Sequence, residues 1–155
     1  LLQLSKQPEE KPKNLIKLLK NKSITKIFHY GRFDLAMLNK NVGPVVGPIY
    51  CTKIASKLSR TFGAKHGLKD LCKDLLNIEL DKFNQTSDWG TKKLSKDQLA
   101  YAAQDVLFLH KLKIKLDEIL LREGKMNLAL ECFESLKIRV KLDLEGFQEL
   151  DIFAH

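Results

Sequence analysis

The stretch from Leu94 to His110, LSKDQLAYAAQDVLFLH, constrains this chain most. Ser95 followed three residues later by Gln98 is a capping-box start for a helix. From there Leu99, Ala102, Ala103, Val106 and Leu109 recur at helical spacing and predict one apolar face. Tyr101 and Asp105 stand four residues apart, so a phenol and a carboxylate project side by side from a neighbouring face. Such a pair can hold a metal ion and a water molecule, or it can be an ordinary solvent-exposed pair. A bare Tyr-x-x-x-Asp leaves both readings open.

The rest of the chain narrows the choice. Its 155 residues suit one compact domain, residues 1–155, and 44% apolar residues are enough for a core. No apolar run approaches a membrane span. Cys51, Cys72 and Cys132 lie far apart, an odd and scattered set that reads as reduced thiols rather than a disulfide frame or zinc site. The expected setting is the cytoplasm. Lys and Arg number 27 against 19 Asp and Glu, a net charge of +8. That excess, mostly lysine, favours a polyanionic partner. A well-solvated lysine surface accounts for it equally well. The sequence opens on Leu1 rather than Met, and Leu1-Leu2-Gln3-Leu4 already has strand character. We therefore expect a domain that starts upstream of residue 1.

Read in order, Leu1 to Ser5 is a strand, and Lys6 to Lys13, with Pro8 and Pro12, is a connection. Asn14 caps a helix with Leu15, Ile16, Leu18 and Leu19 on its inner face. Thr25 to His29 is a strand leading into Tyr30-Gly31, and a helix follows with Phe33 and Met37 in the core. Asp34 then lies just after a strand, in the first turn of a helix, where ligand groups gather in α/β sheets. Ile49 to Cys51 is a second strand, and Thr52 starts a helix. Another helix follows the break at His66-Gly67. Leu80 to Lys93 is loop-like and carries Trp89, the sole tryptophan. The central helix is expected to run on to about Arg122, with Gly124 ending it. A last helix has Met126, Ala129, Leu130, Phe133, Leu136 and Val140 on one face, and Gly146 stops it. The tail from Phe147 is expected to pack back through Phe147, Leu150 and Phe153. Early strands and later helices make an α/β or α+β domain with an incomplete sheet.

Three segments then line up: Phe28-His29-Tyr30-Gly31-Arg32-Phe33-Asp34, Leu80-Asp81-Lys82 through Ser87-Asp88-Trp89, and Tyr101-Ala102-Ala103-Gln104-Asp105. Together they resemble the ribonuclease D family of 3′–5′ exonucleases in its tyrosine-bearing form, DEDDy. The first looks like the family's second motif and the last like its third; Gly67-Leu68-Lys69-Asp70-Leu71 also fits. The likeness is strongest to small single-domain bacterial members and covers nearly the whole chain. It implies an α/β, ribonuclease H-like exonuclease fold, a mixed sheet flanked by helices, here N-terminally truncated.

The implied chemistry is hydrolysis of RNA or single-stranded DNA from the 3′ end to nucleoside 5′-monophosphates. The family clamps the phosphodiester with two divalent ions, Mg²⁺ or Mn²⁺, held by carboxylates because these ions want hard oxygen ligands. By resemblance Asp34 and Asp105 are metal ligands and Tyr101 orients the attacking water. The family's first motif, an Asp-x-Glu, belongs before residue 1. The Asp143-Leu144-Glu145 triplet has that pattern, but it lies after the third motif and in the last helix. It is therefore not the missing pair.

The remaining candidates carry double readings. His29 approaches substrate or is a structural histidine at a strand end. Arg32 and Lys82 touch phosphate or are solvated, the surface role being preferred for Arg32. Trp89 anchors its loop in preference to stacking on a base. Two rivals to an active exonuclease remain. One is a non-catalytic nucleic-acid-binding remnant, motivated by the missing motif beside a +8 charge. The other is one half of a split exonuclease, completed by an upstream fragment that pairs with the open sheet edge.

Overall fold

Two short strands and seven helices make up the ordered elements of the computed structural model, which describes residues 3, 12–62, 65–80, 87–91 and 93–154. The strand expected over Leu1 to Ser5 lies outside the described residues apart from Gln3, and Lys82 also lies outside them. Helix α1 spans Lys13–Lys20 and follows Pro12, whose ring presets a helical φ; Asn14 sits inside the first turn rather than capping it. Leu19 is buried and Leu15 and Ile16 pack on the core, but Leu18 faces solvent, so the inner face is narrower than expected.

Strand β1 (Lys26–Phe28) runs parallel to β2 (Ile49–Cys51), with Lys26 opposite Ile49, Ile27 opposite Tyr50 and Phe28 opposite Cys51. Helix α2 (Gly31–Asn41) makes the crossover that a parallel pair requires. Among the described residues the sheet is this parallel pair, a small sheet flanked by helices in keeping with the expected α/β fold. The return into β2 depends on Gly47, which has φ +88° and passes so close that a Cβ would lie 2.8 Å from Cα of Lys22. Lys26 is buried, and its ammonium is satisfied by the carbonyls of Asn21 and Val46.

Helices α3 (Thr52–Ser59), α4 (Leu68–Leu76), α5 (Lys96–Leu107), α6 (Leu109–Arg122) and α7 (Met126–Leu144) complete the chain. The core lies where α6 and α7 meet α3 and β2. Leu112, Leu116 and Leu120 of α6 are wholly buried, as are Ala55, Ala129 and Val140, and Phe133 packs on Tyr50 at a ring separation of 4.6 Å. Each fully buried leucine contributes about 1.5–3 kcal/mol. Leu130 faces out, so the buried stripe of α7 is Ala129, Phe133, Leu136 and Val140, ending on Asp143. Gly124, at φ +64°, ends α6. Cys51 and Cys72 are buried thiols, and Cys132 is half-buried and also free.

Three expectations change here. The central helix is not continuous: Phe108, at φ −99° and ψ −4°, separates α5 from α6 without Gly or Pro, and its ring packs on the core. Leu99 and Val106 of α5 are exposed, so the predicted apolar face is not a core face among the described residues. In the tail, Phe147, Leu150 and Phe153 are also exposed. Its backbone is held instead: Arg139 donates to the carbonyls of Phe147, Gln148 and Leu150. Among the described residues no helix is long and apolar enough to cross a membrane.

Candidate active site

Beyond the end of β1 the chain turns sharply. Tyr30 takes a left-handed conformation, φ +62° and ψ +42°. Gly31 follows because a Cβ there would sit 2.9 Å from Cβ of Phe28. This turn starts α2 and sets Asp34 in its first turn, where the helix dipole tolerates a carboxylate. Across from it stands α5, started by the expected capping box: Gln98 N–H donates to Ser95 Oγ at 3.1 Å, and Ser95 N–H donates to Gln98 Oε1 at 2.9 Å. Asp34, Tyr101, Asp105 and His29 line one open cleft of about 1310 Å³ between these elements. The sequence candidates for catalysis are thus brought together from two helices some seventy positions apart.

The electrostatics bear on what the cleft can hold. Burial raises the Asp34 pKa above the usual carboxylate range; its own backbone N–H pulls the other way, and the charge of Asp105 pushes it further up. Burial also raises Asp105. Tyr101 is raised by burial and then by Asp105, so it remains a neutral phenol near pH 7. Two hard carboxylates that repel one another in a partly desolvated cleft fit a divalent cation in charge and donor type. No group of three or more His, Cys, Asp and Glu side chains gathers for a metal among the described residues.

His29 reaches back from the cleft to α3, its Nδ1 2.9 Å from Oγ1 of Thr52. Burial and the nearby Lys53 push its pKa down to about 4, so the ring is neutral. The Lys53 ammonium lies 4.0 Å above the Tyr30 ring. Trp89 packs against Tyr101 at a ring separation of 6.0 Å. Its segment is tethered by Gln98, whose Nε2 donates to the carbonyl of Asp88 at 2.9 Å and to Ser87 Oγ at 3.2 Å.

Arg32 does not line the cleft. Its guanidinium is committed to Asp143, at 2.6 and 2.8 Å, and to the carbonyl of Gln148 at 3.1 Å. Its charge is therefore committed to Asp143 and not free for phosphate, while the side chain stays partly solvated. Phe33 and Met37, expected in the core, are exposed at the rim of the cleft, because the residue α2 buries beyond Gly31 is Leu35. Gln104 and Thr52 carry no functional reading in the sequence, and Gln98 reads there only as part of the helix cap. Gln104 lines the cleft beside Asp105. Thr52 and Gln98 act through long-range hydrogen bonds that local spacing does not encode.

The chain matches the sequence model of the 3′–5′ exonuclease family over residues 2–121. The chain belongs to the 3′–5′ exonuclease family. Ribonuclease D of Acidiphilium cryptum is 34% identical over 110 residues, 71% of this chain but 28% of that protein. The chain therefore spans just over a quarter of the length of that relative. Among solved structures, Brucella melitensis NrnC is 54% identical with a TM-score of 0.88, covering 92% of this chain and 69% of that one. The same protein has been solved with bound Mg²⁺ and bound to pGG. Escherichia coli RNase D, an exoribonuclease involved in structured RNA processing, is 27% identical at a TM-score of 0.75, covering 83% of this chain and 34% of that one. These neighbours establish the ribonuclease H-like α/β exonuclease fold for the chain.

Proposed function

We propose that the cleft is a divalent-metal-dependent 3′–5′ exonuclease site that releases nucleoside 5′-monophosphates from RNA or single-stranded DNA. The observation that carries this reading is the convergence of Asp34 and Asp105 on one cleft, close enough for the charge of Asp105 to raise the pKa of Asp34. In this account the two carboxylates hold Mg²⁺ or Mn²⁺, which supplies Lewis-acid polarisation of a phosphoryl oxygen and a more acidic bound water. Tyr101, kept protonated by burial, donates or accepts a hydrogen bond to orient the attacking water rather than removing its proton. Trp89, packed on Tyr101, holds that phenol in place. The pGG complex of the Brucella melitensis protein makes a short 5′-phosphorylated oligonucleotide the first substrate to try. The test is 3′-end degradation of a labelled oligonucleotide with metal and with EDTA; loss of activity in Asp105→Ala is expected. Full activity in that variant overturns the assignment.

A second reading is favoured by the exposed apolar face of α5. Val106, at 58% exposure, lines the cleft, and Leu99, at 42%, is exposed on the same helix; neither joins the core that the described residues form. They suit a further strand segment that carries the Asp-x-Glu pair and completes both sheet and ligand set. Supplying such a segment in trans is then expected to bind the chain and raise its activity. Failure of the two pieces to associate removes this reading.

A further inference from the structure

Thr52 is the first residue of α3 and is wholly buried. Its hydroxyl donates to the carbonyl oxygen of Phe28 at 3.2 Å. A hydroxyl has one proton, and a carbonyl can only accept. With that proton committed, Oγ1 of Thr52 is left to accept from Nδ1 of His29, 2.9 Å away. Both hydrogen bonds of Thr52 are made together only when the ring proton of His29 sits on Nδ1. The ring carries no second proton near neutral pH, since burial and Lys53 hold its pKa near 4. Nε2 is then a bare lone pair. No hydrogen bond joins it to the described residues. His29 itself lines the cleft with Asp34.

We propose that Thr52 is a positioning residue: it fixes the His29 tautomer so that Nε2 accepts a hydrogen bond from a neutral donor on the 3′-terminal nucleotide, either a sugar hydroxyl or a base N–H. The proposal rests on the exonuclease reading of the cleft. A phosphodiester has no proton to give, so this acceptor discriminates against phosphate and for a hydroxyl or N–H. A histidine in a nucleic-acid cleft is more readily read as a cation for phosphate; the Thr52 hydrogen bond and the neutral ring argue the reverse. Specificity of this kind is strong in general, because an analogue lacking the donor leaves a polar group unpaired.

A long-range ¹H–¹⁵N spectrum of His29 in the full chain reads the tautomer directly. The expected result is protonated Nδ1 and bare Nε2 in the wild type and in Thr52→Ser, with a mixture of tautomers in Thr52→Val. Protonated Nε2 in the wild type overturns the proposal, even if Thr52→Val fails to fold. The second arm is binding of short single-stranded oligonucleotides, followed by anisotropy with Ca²⁺ in place of Mg²⁺. The 3′ residue is a ribonucleotide, its 2′-deoxy or 3′-deoxy counterpart, or one with an altered base edge. His29→Ala is expected to weaken binding about five- to tenfold where the donor is present, the worth of one hydrogen bond, and to leave the donor-less oligonucleotide unchanged. A loss confined to the ribose end identifies the sugar hydroxyl; one confined to a base identifies its N–H. A loss that disappears only on a 3′-deoxy end identifies the 3′-hydroxyl, and equal losses on all of these ends, the 3′-deoxy one included, overturn the proposal. If no oligonucleotide binds the wild type while the tautomer is as expected, the exonuclease reading fails and the Thr52–His29 pairing stands.

Discussion

Nε of Arg32 lies 2.6 Å from Oδ2 of Asp143, and Nη2 lies 2.8 Å from Oδ1, a bidentate pair that ties α2 to α7. Arg139 stands on the same carboxylate at 3.1 Å and also holds the tail carbonyls. The one Asp-x-Glu triplet of the chain is thus built into an ion-pair cluster that braces the helix bearing Asp34.

Replacing Asp143 by Asn is expected to destabilise the fold by roughly 1–2 kcal/mol near pH 7, well under the full buried-pair value because Arg32 is partly solvated. The hydrogen bond from Arg32 holds the Asp143 carboxyl below the usual carboxylate range. Its folded pKa is therefore lower than its unfolded one. The stabilisation is complete above the unfolded value of about 4 and is lost as pH falls through the folded value. Urea midpoints of wild type and Asp143→Asn should differ by a constant amount from pH 7 to pH 5 and converge in stronger acid. A gap that grows on acidification contradicts this.

Asp34 has the opposite sign. Its folded pKa is raised by burial and by Asp105, so ionisation costs stability, and the cost is relieved as pH falls through the folded value. Asp34→Asn is expected to raise the melting temperature of the metal-free chain at neutral pH, on the order of 1–3 °C for a chain of this size. Mn²⁺ should stabilise the wild type and not the variant, by mass action on the folded state. Calorimetry with and without Mn²⁺ measures both effects; a variant that melts lower than wild type without metal contradicts the repulsion between Asp34 and Asp105.

Gln98 serves two ends, closing the capping box of α5 and tethering residues 87 and 88. Gln98→Ala is expected to cost about 1 kcal/mol as a lost cap. It should also release Trp89 from Tyr101. Because Trp89 is the sole tryptophan, its emission reports this directly. A shift to longer wavelength before any unfolding is expected; unchanged emission contradicts the tether.

Much of this arrangement was legible in the sequence where the signal is local. The Ser95–Gln98 capping box, the two strands, the helix start at Gly31 and the stops at Gly124 and Gly146 all depend on neighbours a few residues apart. Legibility failed where a partner is distant. Helical spacing identified Leu99 and Val106 as one face but could not say what covers it. Phe33 and Met37 have core chemistry yet stand at the cleft rim, since only packing decides which side of α2 is buried. The break at Phe108 has no Gly or Pro to announce it; its ring packs on the core and its backbone, at ψ −4°, leaves regular helical geometry. Arg32 reads as a free cation beside a motif until α7 brings Asp143 across a separation of 111 residues.

The most direct test is metal-dependent hydrolysis by the chain itself. A 5′-phosphorylated single-stranded oligoribonucleotide is incubated with the chain and Mg²⁺, Mn²⁺ or EDTA, and the products are resolved. The account predicts release of nucleoside 5′-monophosphates from the 3′ end with either metal, none with EDTA, and none from Asp34→Ala or Asp105→Ala. No metal-dependent release by the wild type, or release that survives either substitution, contradicts it.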